Sequence, residues 1–218
     1  MVGATPSEPD PQTLEGFYAL LAGTAAGVPL GDFCRKHVLH GTPFVFRGKE
    51  PHYYDFRKRI ADKFGVSYAE VLITGSAKMG FSPHKNTVFS ADSDIDVAIV
   101  SSELYEKYVE IAREYQMQLR AARRAVTVDE LRMYHQYLEY LVLGWIRPDR
   151  LPLSFRVNDL KTDWFEFFAS ISNGRSEVGN YKVAAGVFRS HRHLELYTFS
   201  SIQSVQERVM MNQRQNTQ

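Results

Sequence analysis

Residues 93–100 read SDIDVAIV, and no other stretch constrains the fold of this chain as tightly. In an extended backbone Ile95, Val97 and Ile99 point to one face, while Asp94 and Asp96 point to the other. The apolar face demands a packed layer beneath it. The polar face sets two like charges side by side, and without a partner one carboxyl is driven toward its protonated form. A divalent cation removes that conflict. Oxygen ligands at i and i+2 suit Mg²⁺, or Mn²⁺, a hard ion that takes one or two carboxylates and completes its shell with water and substrate phosphates.

The stretch VLITGSAKMG stands upstream. Its β-branched run predicts a short buried strand stopped by Gly75, with a helix starting just after it. Such a turn presents backbone N–H groups, the Ser76 hydroxyl and a helix N-terminus, all donors suited to phosphate. Lys78, and more distantly His84 and Lys85, add positive charge for a triphosphate. A lone D-x-D or a lone G-S turn occurs by chance in many chains. The two in this order, each at the edge of a predicted strand, point to a metal-dependent phosphate site.

The remaining pattern is mostly helical. Residues 1–12 hold three prolines among small polar residues and are expected to form a disordered tail, followed by a helical N-terminal segment over 13–66. Residues 67–218 make up the expected main domain. After SDIDVAIV, Ser102 is expected to cap a helix beginning at Glu103, and Thr127 with Glu130 forms a capping box for a second, so that a helical insert covers about 102–145. WIRPDRLP reads as a proline-bounded connection, LSFRV as a strand, DWFEFFASIS as a helix stopped by Asn173 and Gly174, YKVAAGVF as a strand, and about 191–210 as a last helix. This order predicts an α+β fold: a small mixed sheet with helices packed on it.

Composition narrows the class. A chain of 218 residues that is 44% hydrophobic can bury one substantial core with a helical appendage, but not two large domains. A formal charge of +1 gives no chain-wide signature of a nucleic-acid or membrane-surface binder. Cys34 is the only cysteine, which excludes an intrachain disulfide framework and a cysteine zinc cluster. With no secretory pattern and no window near the roughly 20 apolar residues of a membrane span, the expected location is the cytoplasm.

GSAKMG followed by SDIDVAIV resembles the signature of the nucleotidyltransferase superfamily of the DNA polymerase β type. That superfamily includes the CCA-adding enzymes, aminoglycoside nucleotidylyltransferases and small bacterial minimal nucleotidyltransferases. The specific motif covers about residues 71–100; a looser likeness to bacterial nucleotidyltransferase-domain proteins extends to the W-I-R-P-D and Y-K-V stretches. The resemblance implies Mg²⁺-dependent transfer of a nucleoside monophosphate from an NTP, ATP by default, to a hydroxyl acceptor, with release of pyrophosphate. Gly75 and Ser76 would contact the triphosphate, with Lys78 and Lys85 nearby, and Asp94 and Asp96 would hold the metal.

Two features depart from the family pattern. FSPHKNTVFSA inserts a polar loop between Ser76 and Asp94, expected over the nucleotide or at the acceptor. Active members also supply a third carboxylate from a later strand; Asp159, at the end of LSFRVND, is the first choice and Glu195, in a predicted helix, the weaker one. If neither reaches the metal, the alternative is a catalytically silent member of the fold, a binding or regulatory partner such as half of a toxin–antitoxin or phage-defence pair. The acceptor stays open between tRNA, protein and small molecules, as does a protein partner or a homo-oligomer. Arg120, Arg123 and Arg124 are the best candidate acceptor patch, against simple helix capping; the R-S-H-R-H cluster at 189–193 reads first as a helix-start surface and His135 as a packed residue.

Overall fold

The computed structural model describes residues 10–123, 125–148 and 158–215, with side chains from 162 onward in the last of these. Strand β4 (Ile95–Val100) lies inside the sheet because its apolar residues leave no edge fit for water. On one side β1 (Val71–Thr74) pairs with it antiparallel, setting Ile73 beside Val97 and Thr74 beside Asp96. On the other side β6 (Val183–Phe188) runs parallel to it, with Ala184 beside Asp96. β5 (Trp145–Ile146) completes the order β1-β4-β6-β5, antiparallel to β6. The fold is therefore α+β with a small mixed sheet.

The two faces are covered differently. Val71, Ile73, Ile95, Val97, Ile99, Val183 and Val187 are buried under four helices: α3 (Glu50–Phe64), α5 (Ser102–Arg120), α6 (Val128–Val142) and α7 (Asn158–Ser170). Each fully buried aliphatic side chain stabilises by about 1.5–3 kcal/mol, so this face holds the main core. The opposite face carries Leu72, Ala98, Val100 and Phe188 under α8 (His191–Gln215), which meets them with Leu194. Farther along, Ile202 and Val205 of α8 join Phe17 and Leu21 of α1 (Leu14–Ala22) and Leu30 and Phe33 of α2 (Val28–Cys34) in a second core. Asp96 lies on the α8 side, where the sheet is less completely covered.

Local chemistry explains the boundaries. Ser101, in extended conformation, accepts the Leu104 N–H at 3.4 Å and caps α5, one residue earlier than expected, because β4 ends at Val100 and leaves Ser101 as the half-helical residue. Thr127 and Glu130 form the reciprocal capping box of α6. Asn173 and Gly174 both take positive φ after α7, which fits their expected role as its stop.

Three expectations change. Trp145 and Ile146, expected in a connection, form β5 because Phe188 and Val187 offer them a free strand edge. Asp159, expected at a strand end, stands in the first turn of α7; its side chain, the LSFRV stretch, Arg124 and the tail over 1–9 lie outside the described residues. FSPHKNTVF is not an open loop but a hairpin of β2 (Phe81–Ser82) and β3 (Thr87–Val88), turned through Asn86 at φ 56°. The hairpin is tied down from behind: the Tyr18 hydroxyl donates to the Pro83 carbonyl at 2.8 Å, and Arg208 donates to the Pro83 and His84 carbonyls at 2.6 and 2.8 Å. No described helix is long and apolar enough to cross a membrane.

Candidate functional site

The β1/β4 register builds the site. With Thr74 beside Asp96, the chain leaving β1 turns directly over the carboxylate of β4. Gly75 makes that turn at φ +65°, and a β-carbon there would meet Asp96 Oδ2 at 2.8 Å. Glycine adopts this conformation without strain and leaves the Asp96 carboxylate where it stands. Helix α4 (Gly75–Met79) follows, a single turn and a half of five residues, too short for a sizeable macrodipole. Thr74 gives its hydroxyl to the Asp96 carbonyl at 3.3 Å and makes no side-chain cap on α4. What the turn offers a ligand is thus its own backbone N–H groups and the half-buried Ser76 hydroxyl, beside a carboxylate.

The two aspartates act as one electrostatic unit. β4 begins at Ile95, so Asp94 sits one residue before the strand, with its Oδ2 3.8 Å from Lys182 Nζ. Burial first, and Asp94 second, hold the Asp96 carboxyl above its ordinary value; Lys85, Arg147 and Lys182 oppose the shift. Asp96 is exposed as a residue, while the Gly75 backbone lies close against its Oδ2. The Asp94 contribution is the like-charge conflict expected of neighbouring D-x-D carboxylates, only partly offset by these cations, and a hard cation could relieve it. Asp94 and Asp96 are the residues present to hold one.

Other expected site residues divide. Lys85, in the hairpin turn, is near enough for its charge to act on Asp96. Lys78 is not presented to a ligand: it is 6% exposed, and its ammonium donates to the carbonyls of His40, at 2.7 Å, and Gly41. The α4 turn directs this side chain inward against the segment after α2, and burial lowers its pKa to about 8, with Arg47 adding to the shift. Glu195 does not join the aspartates either. From the first turns of α8 it faces α2 and accepts from Arg35 Nε at 3.1 Å and Nη2 at 2.9 Å, at the rim of a separate cleft floored by Leu39, Leu72 and Leu194.

Among the described residues no third carboxylate joins the pair, and the Asp159 side chain lies outside them. The strand next to Asp96 presents Ala184, and among the described residues no group of three His, Cys, Asp or Glu side chains could hold a metal.

A cavity of about 680 Å³ takes in Thr74, Gly75, Ser76, Asp96, Arg147 and Tyr197, and it also reaches Trp164 and Phe168 of α7 on the other side of the sheet. Lys182, Arg147 and Tyr197 escaped the sequence reading. For Lys182 a signal existed, since it immediately precedes the predicted strand YKVAAGVF, but nothing in the sequence says that this strand lies beside Asp94. No family model, no curated protein and no solved structure matches the chain.

Proposed function

We propose that this protein is a nucleotidyltransferase-fold enzyme that binds an NTP with Mg²⁺ through Asp94 and Asp96 and transfers its nucleoside monophosphate to a hydroxyl acceptor. The observation that supports the reading is the close fit of the Gly75 turn against the Asp96 carboxylate, which brings backbone N–H groups of a kind suited to phosphate and oxygens of a kind suited to a metal to one point of the fold. A bound Mg²⁺ would neutralise phosphate oxygens and the aspartate pair together. The protein's own part is positioning. Gly75 and Ser76 hold the phosphate chain, Lys85 and Lys182 place positive charge around it, and the anchored hairpin walls one side of the cavity.

The test is incorporation of labelled NTP into candidate acceptors, tRNA, protein and small hydroxyl compounds, by the wild type and by the Asp94→Asn/Asp96→Asn double variant. Loss of Mg²⁺-dependent incorporation in a folded double variant is expected. Incorporation at the wild-type level would overturn the site assignment.

A second reading has its own observation. The neighbouring strand offers Ala184, not a carboxylate, beside Asp96, an arrangement suited to nucleotide binding without transfer. Calorimetry of NTP with and without Mg²⁺, run beside the transfer assay, separates the two: binding with no turnover on any acceptor selects the silent form, a regulatory or partner protein.

A further inference from the structure

We propose that the ring of Tyr197 is the stacking platform for the nucleobase of the bound nucleotide, which makes the ligand a base-bearing NTP rather than a phosphate chain alone; this rests on the nucleotide reading above. Tyr197 stands on α8 and lines the same cavity as Gly75, Ser76 and Asp96. Its ring is held by two aromatic neighbours. Trp145 meets it at 5.1 Å and 61°, and Phe188 at 5.5 Å and 66°, both edge-to-face. Those two rings are themselves locked, Trp145 against Tyr140 at 4.4 Å and against Phe188 in a parallel stack at 6.0 Å.

Braced this way, Tyr197 has little freedom left to lose on binding, yet it remains 46% exposed. An aromatic side chain that is fixed but uncovered differs from both a core residue, which is hidden, and an ordinary surface tyrosine, which is mobile. A held and partly exposed aromatic ring is what a flat heteroaromatic ring needs, because base stacking requires area and orientation, not a particular hydrogen-bond pattern. The phosphate end is electrostatically in touch with this ring. Burial raises the Tyr197 hydroxyl pKa and the Asp96 charge raises it further, while Arg147 opposes, so both charges lie within electrostatic reach of this ring. Tyr197 and the Gly75, Ser76 and Asp96 end line one continuous cavity, so a single ligand can touch both. The larger ring system of a purine should stack better than a pyrimidine.

Titration calorimetry with Mg²⁺ and two probes, ATP and inorganic tripolyphosphate, tests this on the full chain. In the wild type ATP should bind roughly tenfold or more tightly than tripolyphosphate. Tyr197→Ala should collapse that gap while leaving tripolyphosphate affinity unchanged, and Tyr197→Phe, which keeps the ring, should preserve it. Tyr197→Leu replaces the alanine variant if the latter does not fold. A gap that survives loss of the ring overturns the platform but not the phosphate site. Equal binding of the two probes by the wild type has the same meaning. If neither probe binds, or if both bind the Asp94→Asn/Asp96→Asn variant as well as the wild type, the nucleotide reading fails and the platform with it.

Discussion

A β-carbon on Gly75 would stand 2.8 Å from Oδ2 of Asp96, closer than any ordinary carbon–oxygen contact. Gly75 also lies at φ +65°, so alanine meets two penalties there. The left-handed conformation costs an L-residue about 1–2 kcal/mol, and the contact displaces the carboxylate. Gly174 is the control: at φ +81° it carries the first penalty, but nothing lies within 4 Å of its added carbon. Both alanine variants should lose stability in urea unfolding. Only Gly75→Ala should also lose Mg²⁺-dependent NTP binding, and equal NTP binding by the two variants would separate the glycine from the site.

The alternation in IDVAIV and the turn signal of Gly75 are local properties, and they place the central strand and the glycine beside it without any tertiary information. The functional value of Lys78 is not local. A lysine three residues after a phosphate-type glycine can reach outward to a ligand or inward to carbonyls, and the choice is made by the segment at His40 and Gly41, almost forty residues earlier in the chain. Glu195 is similar: its helix is legible, but its partner Arg35 lies 160 residues away. β5 spans only Trp145 and Ile146, too short for a periodicity to register, and is a strand only because β6 pairs with it. The pairing of Lys182 with Asp94 likewise depends on β6 settling parallel to β4.

Lys78→Met keeps the length of the aliphatic stem but leaves the His40 and Gly41 carbonyls without their donor. A hydrogen bond from a charged donor is worth about 1.5–3 kcal/mol, so the midpoint of urea unfolding should fall accordingly. Since the ammonium is turned into the protein, the folded variant should bind Mg²⁺–NTP within about twofold of the wild type, a difference under 0.5 kcal/mol. A large loss of NTP affinity at unchanged stability would return Lys78 to the phosphate site.

Arg208 tests the hairpin. Its guanidinium donates to the Pro83 and His84 carbonyls and holds the tip that carries Lys85. Trypsin needs a locally unfolded segment, and Lys85 is an exposed cleavage point inside one that Arg208 fastens. Arg208→Ala should therefore open a new early cut after Lys85 in limited proteolysis, seen by mass spectrometry, while the far-ultraviolet spectrum is unchanged. Identical digestion patterns would show that Tyr18 and the β2/β3 pairing hold the hairpin without it.

Cys34 gives a pH dependence whose sign follows from burial. The thiol is 3% exposed, and burial raises its pKa to about 11, with Arg35 pulling back slightly. In the unfolded chain a cysteine ionises near 8.5. Between these values the unfolded state has lost its proton and the folded state has kept it, so the unfolded state binds fewer protons and stability falls as pH rises. The contribution is complete below about pH 8.5 and is lost as pH climbs toward 11. Urea unfolding at pH 8, 9 and 10 should show the wild type weakening relative to Cys34→Ala by roughly 1–2 kcal/mol over that interval, an order-of-magnitude figure set by the pKa difference. The difference between the two proteins is the quantity to measure, because buried tyrosines such as Tyr108, also raised by burial, destabilise both equally once pH passes 10. The same protonated thiol should resist iodoacetamide at pH 8 in the folded protein and react readily in urea. A slope shared by both proteins, or rapid labelling of the folded chain, would mean that Cys34 is more accessible than its place beneath α1 and α8 requires.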